Sequence, residues 1–275
     1  MQVMPQLIYF FKFASLLVGM CFEYLLFAGV LYLFFYTWRE KKYWPFKIQQ
    51  RSQQKKHIIR DIKYSFCTLV VFGLVIVPVF WASEHGYTRI YHPIDKYGWG
   101  YYFFSILLMV FIHDTYFYWS HRFLHWKPMF RLVHKTHHLS LNPTVFSIYA
   151  FHPFEAFVNV LIIPIVAFTV PHHGSAITIF TLYQLAVNTM GHLGYEFFPK
   201  GFTRHKITKW SNTATHHNMH HRFVKCNYGL YFNFWDTLMK TNHRLYDETF
   251  DEVAGRAKRT SVAAKLSPIP TEETV

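Results

Sequence analysis

Histidine is grouped in this chain in the manner of a ligand set. His121 and His125 stand four apart, and two copies of one pattern follow, His134-x-x-His137-His138 and His217-x-x-His220-His221. Imidazole is the commonest protein metal ligand, and residues three and four apart share one face of a helix. Each cluster can therefore aim two or three ring nitrogens at one point. His137 and His138 are adjacent, as are His220 and His221, so their side chains point about 100° apart on a helix. One ion cannot readily take both members of such a pair, whereas two neighbouring ions can each take one. Eight imidazoles without a thiolate exceed the needs of a closed structural zinc site. The pattern predicts a centre of two metal ions. His192, in the run from Asn188 to Glu196, is a ninth candidate ligand. Outer ring N–H groups need acceptors, and Asp114, Glu155 and Asp236 are the nearest carboxylates in sequence. Glu196 lies one turn beyond His192 and could add a carboxylate ligand or stand beside the rings. His113 and His152 read as residues lining the site. His216 faces elsewhere on a helix, and His57, His85, His92, His172, His173 and His243 read as bystanders.

The elements that must position these rings are membrane helices. The chain has 275 residues, of which 52% are hydrophobic and only 16% charged, and the apolar residues come in long runs. A span needs about 20 such residues. Candidate spans cover about residues 13–36, 65–81, 101–125, 154–170 and 176–190. Glu23 sits in the middle of the first, where an ionisable residue is a functional candidate by default. Pro164 interrupts the fourth. Pro171 to Gly174 form a turn joining the fourth to the fifth, which either cross as a hairpin or enter and return. The net charge is +13, and the basic residues flank apolar runs, which points to a membrane surface and away from nucleic acid. Arg39, Lys41, Lys42, Lys47, Arg51, Lys55, Lys56, Arg60 and Lys63 crowd the loop after the first span, while the loop of residues 84–100 carries only Arg89 and Lys96. Positive loops stay in the cytoplasm. Counting spans forward puts all three histidine clusters, and His192, on that same side.

These readings give an all-α integral membrane protein. Four to five apolar helices carry a cytoplasmic helical cap that holds a His-rich dimetal site. The expected organisation is residues 1–100 as transmembrane helices with a basic loop, 101–253 as the catalytic region and 254–275 as a mobile tail. Cys21, Cys67 and Cys226 form no paired motif, so neither a disulfide framework nor thiolate ligation is expected. The N-terminus lacks the basic start and small-residue cleavage site of a signal peptide. Imidazole accepts zinc, copper, iron and nickel alike. A redox task on dioxygen beside a bilayer suits iron and a lipid substrate. The competing class is a metal transporter, or a metal-binding protein without oxygenase activity. A transporter would set its ligands near the bilayer midplane, not beyond the span ends.

The run from His113 to His125, followed by His134, His137 and His138, resembles the fatty acid hydroxylase/sterol desaturase superfamily. So do the stretches Ala150–Glu155, Gly191–Tyr195, His217–His221, Asn227–Gly229 and Trp235–Asp236. The resemblance covers roughly residues 101–241. It implies a membrane-bound non-haem di-iron enzyme that hydroxylates, demethylates or desaturates lipids with dioxygen and external electrons. Zinc can occupy such sites in recombinant material. The family's ligands map onto His121, His125, His134, His137, His138, His192, His217, His220 and His221. One branch carries a further histidine where Glu196 stands. The resemblance further implies lipid substrate from the bilayer and, with no fused haem domain, a separate cytochrome b5-like or ferredoxin-like electron donor. The membrane would be a bacterial inner membrane or the endoplasmic reticulum.

Overall fold

The computed structural model describes residues 5–266. Two helices are long and apolar enough to cross a bilayer: α1 (Pro5–Tyr32), prolonged by a π-helical turn at Leu33–Trp38, and α2 (Lys55–Glu84). In the most apolar window of α1 only 11% of residues are buried by protein, so this is no interior helix of a water-soluble core. Phe10, Phe11, Val18, Phe22 and Leu33 face outward along it, as lipid-facing residues must. Glu23 lies exposed on this outer face.

Four further helical segments complete a bundle with two distinct ends. They are α3 (Gly98–Leu124), the short α4 (Lys135–His138), α5 (Pro153–Val160) with α6 (Ile162–Thr169), and α7 (Gly174–His192). The break between α5 and α6 precedes Pro164, which lacks an N–H and crowds the carbonyl four residues back. One end of the bundle is marked by β1 (Ile90–Tyr91), paired in parallel with β2 (His172–His173). There Tyr102 near the start of α3 bonds Ser175 near the start of α7 at 2.9 Å. Lys12 near the start of α1 meets Glu84 at the end of α2. The helices α3 and α7 thus run side by side toward the opposite end, finishing at His121–Leu124 and His192.

Two apolar clusters hold the bundle. Tyr102, Met109, Val110, Ile162, Val166 and Phe180 pack α3, α6 and α7 together. Tyr24, Ala28, Leu69, Ile148, Leu185 and Leu193 join α1 and α2 to α7 and to the loop before α5. Full burial of each such side chain stabilises by about 1.5–3 kcal/mol in water; inside a bilayer their close packing acts instead.

The second end is capped by polar-aromatic chain. Residues 46–49 lie along residues 194–196, with Ile48 N–H donating to Gly194 and Glu196 N–H to Phe46. Three helices follow: α8 (Ala214–Phe223), α9 (Phe234–Leu238) and α10 (Tyr246–Leu266). The stretch from Ala254, expected as a mobile tail, continues α10 as far as Leu266, and residues 267–275 lie outside the described part. The helix is anchored where sequence showed no periodicity. Phe250 and Val253 are buried, and the Arg256 guanidinium donates to the carbonyls of Lys47 and Ile48.

Candidate metal centre

The cap end brings together rings from four separate stretches. His121 ends α3 and His125 caps it, and a π-helical turn at Phe130–His134 leads into α4. His192 ends α7, and His217, His220 and His221 line α8. Their nitrogens form two groups, each within 4.8 Å: His121, His125, His134, His138 and His220, and then His137, His192, His217 and His221. Both adjacent pairs are split, one ring to each group, as helical geometry requires. All nine predicted ligand candidates lie in these groups.

The hydrogen bonds decide what the groups are built for. His121 Nδ1–H donates to the Tyr228 carbonyl at 2.9 Å, and His134 Nδ1–H to Glu155 Oε1 at 2.7 Å. His220 Nδ1–H donates to the Cys226 carbonyl at 2.7 Å, and His192 Nδ1–H to Asn188 at 2.9 Å. A neutral imidazole has one N–H and one lone pair, so these partners leave Nε2 bare. The Nε2 atoms of His121 and His134 nevertheless face each other at 3.2 Å. Two lone pairs cannot hydrogen-bond; a cation between them satisfies both. The same crowding recurs between Nε2 of His125 and His220 at 3.2 Å, and of His192 and His217 at 3.1 Å. Protonation is no remedy. Burial first, and neighbouring imidazoles second, hold His134, His137, His138, His217, His220 and His221 well below the usual histidine range. Each group's donor set fits a divalent transition metal of the kind imidazole binds, iron among them.

Among the carboxylates picked from sequence, only Glu155 touches a ring of the groups. Asp236 works through backbone. It is fully buried and accepts from the N–H groups of Tyr228 and Gly229 and from Thr241 Oγ1, which shapes the loop whose carbonyls hold His121 and His220. Burial would raise its pKa, but these donors and His216, 3.4 Å away, bring it below the ordinary carboxylate value. Asp114 secures the far side of that loop by accepting from the N–H groups of Tyr231 and Phe232. Glu196 takes no ring N–H. It accepts from Thr215 N–H and Oγ1 in the first turn of α8, where the helix dipole favours an anion. His152 caps α5 through Phe154 N–H, and His216 points away from both groups toward Asp236. His172 and His173 lie at the β end, remote from the rings.

Sequence reasoning did not find the loop of residues 224–232. Its carbonyls orient two rings, and its shape needs left-handed backbone at Val224 and Asn227. Gly229 is required by space: a Cβ there would sit 2.7 Å from the Phe232 carbonyl and 2.9 Å from Asp236 Oδ2. The local signal is the Asn227–Gly229 and Trp235–Asp236 stretches, whose spacing alone does not say that they enclose a ligand.

A helical bundle with lipid-facing spans and a buried, paired imidazole centre at one end defines a class of membrane metalloprotein. The fatty acid hydroxylase family model matches residues 106–241, which include every ring in the two groups. Lathosterol oxidase of Mus musculus is 30% identical over 215 residues, covering 77% of this chain and 70% of its own. Lathosterol oxidase of Rattus norvegicus is 31% identical with the same coverage. A Delta(7)-sterol 5(6)-desaturase of Gibberella zeae is 28% identical over 79% of this chain and 65% of its own. The chain spans about two thirds of the length of these relatives. No solved structure matches it. The chain belongs to the fatty acid hydroxylase/sterol desaturase family.

Proposed function

We propose that this protein is a membrane-bound di-iron oxygenase that hydroxylates or desaturates a C–H bond of a lipid. One observation carries the reading: nine imidazoles, eight of them buried, converge with ring nitrogens facing one another about 3 Å apart, in two groups side by side. His121, His125, His134, His138 and His220 would hold one ion, and His137, His192, His217 and His221 the other. Two iron ions so held supply the activation of dioxygen that oxidation of an unreactive C–H bond demands.

The chain's own residues set where that chemistry happens. Glu155 and the carbonyls of Tyr228, Cys226 and Asn188 fix the tautomers and aim each Nε2 inward. A cavity of about 30 Å³, lined in part by Phe72, Phe117, Phe151 and Leu230, reaches rings of both groups, and its apolar walls would exclude water from the reacting part of a lipid. The relatives are named for sterols, which supports a hydrophobic lipid as the substrate class.

Placement in the membrane follows from the two ends of the bundle. The basic segment of residues 39–63 lies at the end that carries the rings, and by the positive-inside rule that end is cytoplasmic. There α1, α2 and α3 cross, while α5–α6 and α7 form a shorter hairpin, and α8 to α10 complete the cap. Lys127, Arg131 and Lys135 are exposed beside the rings and would dock an acidic electron carrier, a cytochrome b5-like or ferredoxin-like protein.

The test is purification with ferrous iron, followed by metal counting and oxygen uptake with a reductant and membrane lipid. Two irons per chain, and lipid that gains one oxygen or loses two hydrogens, are expected. Metal flux into liposomes without oxygen uptake would replace the enzyme with a transporter.

A further inference from the structure

The cavity above the rings has a polar level that the metal chemistry does not use. His113 stands eight residues before His121 on α3, and Gln184 eight residues before His192 on α7; both line the cavity. Eight residues of helix rise about 12 Å. Because α3 and α7 run in parallel, the two side chains stand at one height, and the His113 ring packs on Phe180, one turn before Gln184. Asn159 on α5 joins them. It lines the same cavity.

These groups are under-used within the protein. His113 has one hydrogen bond, Nδ1 to the Tyr231 hydroxyl at 2.8 Å, and its other ring nitrogen makes none. Among the described residues, the amides of Asn159 and Gln184 have no hydrogen-bond partner. Polar groups inside a bundle at membrane depth are costly unless something pairs with them. The cavity lining contains no Lys or Arg. A carboxylate or phosphate at this level would be buried without a cation, which its desolvation forbids.

Resting on the oxygenase reading above, we infer that the substrate carries a neutral hydrogen-bonding group, a hydroxyl or carbonyl, which His113, Asn159 and Gln184 receive on the side of the cavity away from the metal-binding rings. A free acid or a phospholipid headgroup cannot take this position.

The test compares three probes on the purified, metal-loaded protein in detergent: n-dodecanol, n-dodecane and dodecanoate, each read by the shift in thermal unfolding. The alcohol should bind about three- to tenfold more tightly than the alkane, the worth of one or two net hydrogen bonds. Dodecanoate should gain nothing over the alkane. Gln184→Leu and Asn159→Leu should each shrink the alcohol's advantage while retaining full metal content and unfolding cooperatively. Two variants on different helices guard against a local packing defect in one. Equal binding of alcohol and alkane by the wild type, or an advantage that survives both substitutions, overturns the inference. Wild-type protein that fails to hold two metals instead overturns the oxygenase reading, so the two failures are distinguishable.

Discussion

Replacing Glu155 should disable one half of the centre and spare the other. Its Oε1 accepts from His134 Nδ1–H at 2.7 Å, in a place where the carboxylate is 1% exposed. In Glu155→Ala the ring N–H is left buried without an acceptor, at a cost of about 1–3 kcal/mol. That cost falls on the tautomer with a bare Nε2, the one able to bind metal. The ring escapes it by moving its proton to Nε2, which blocks ligation. Converted to affinity, the loss is roughly 5- to 150-fold, in line with about 10- to 100-fold for partners of this type. Glu155→Gln keeps a carbonyl acceptor for the ring N–H, so its loss should be smaller than that of the alanine variant. The assay is metal content per chain by mass spectrometry across a chelator series. At a chelator concentration that leaves the wild type full, the alanine variant should retain the ion of the His137, His192, His217 and His221 group and lose the other. Unchanged affinity in Glu155→Ala, or equal loss of both ions, would falsify the assignment of Glu155 to His134 as a tuning contact.

Three other outcomes are expected. His137→Ala should lower metal content by one ion and abolish turnover, whereas His172→Ala with His173→Ala should keep both ions. The latter pair bonds the carbonyls of Val170 and His92 at the β end, and His173 Nδ1 also caps α7 by accepting from Ser175 N–H, so its effect is about 1–2 kcal/mol of stability per residue, measured by thermal unfolding. Gly229→Ala should destabilise by about 3 kcal/mol, because its Cβ meets a backbone carbonyl, and should weaken metal retention through the Tyr228 carbonyl on His121; a normal melt with full metal sinks that account. Single cysteines at Ser52 and Thr88, in a background lacking the native three, should react with an impermeant maleimide from opposite sides of sealed vesicles. Labelling from one side only breaks the proposed orientation.

The helices and the rings were legible in the sequence for the same reason: each depends on spacing along one chain. Apolar runs marked α1, α2, α3 and α7, and a shorter run containing Pro164 marked α5 and α6 as one segment without showing the break between them. The spacings at His121, His134 and His217 marked shared faces. What spacing cannot carry is a partnership across a hundred residues. Nothing near Asp114 announces that it accepts from Tyr231 N–H, nor does His113 announce the Tyr231 hydroxyl. The carboxylates were therefore found as a set but misassigned in role, since sequence distance made Asp114, Asp236 and Glu196 look like Glu155. Their actual tasks follow from a requirement of the doubled pattern itself. Adjacent histidines on one helix serve different ions, so α4 and α8 each contribute to both groups. A rotation of either helix would then misalign two centres at once, in opposite senses, and no adjustment of a single ring could restore both. Glu196 at the start of α8, and Asp236 acting through the loop after it, hold that helix at its two ends. Fixing the helix is what a shared, two-ion ligand set demands, and it explains why most of the buried carboxylate here is spent on backbone and so little on the rings.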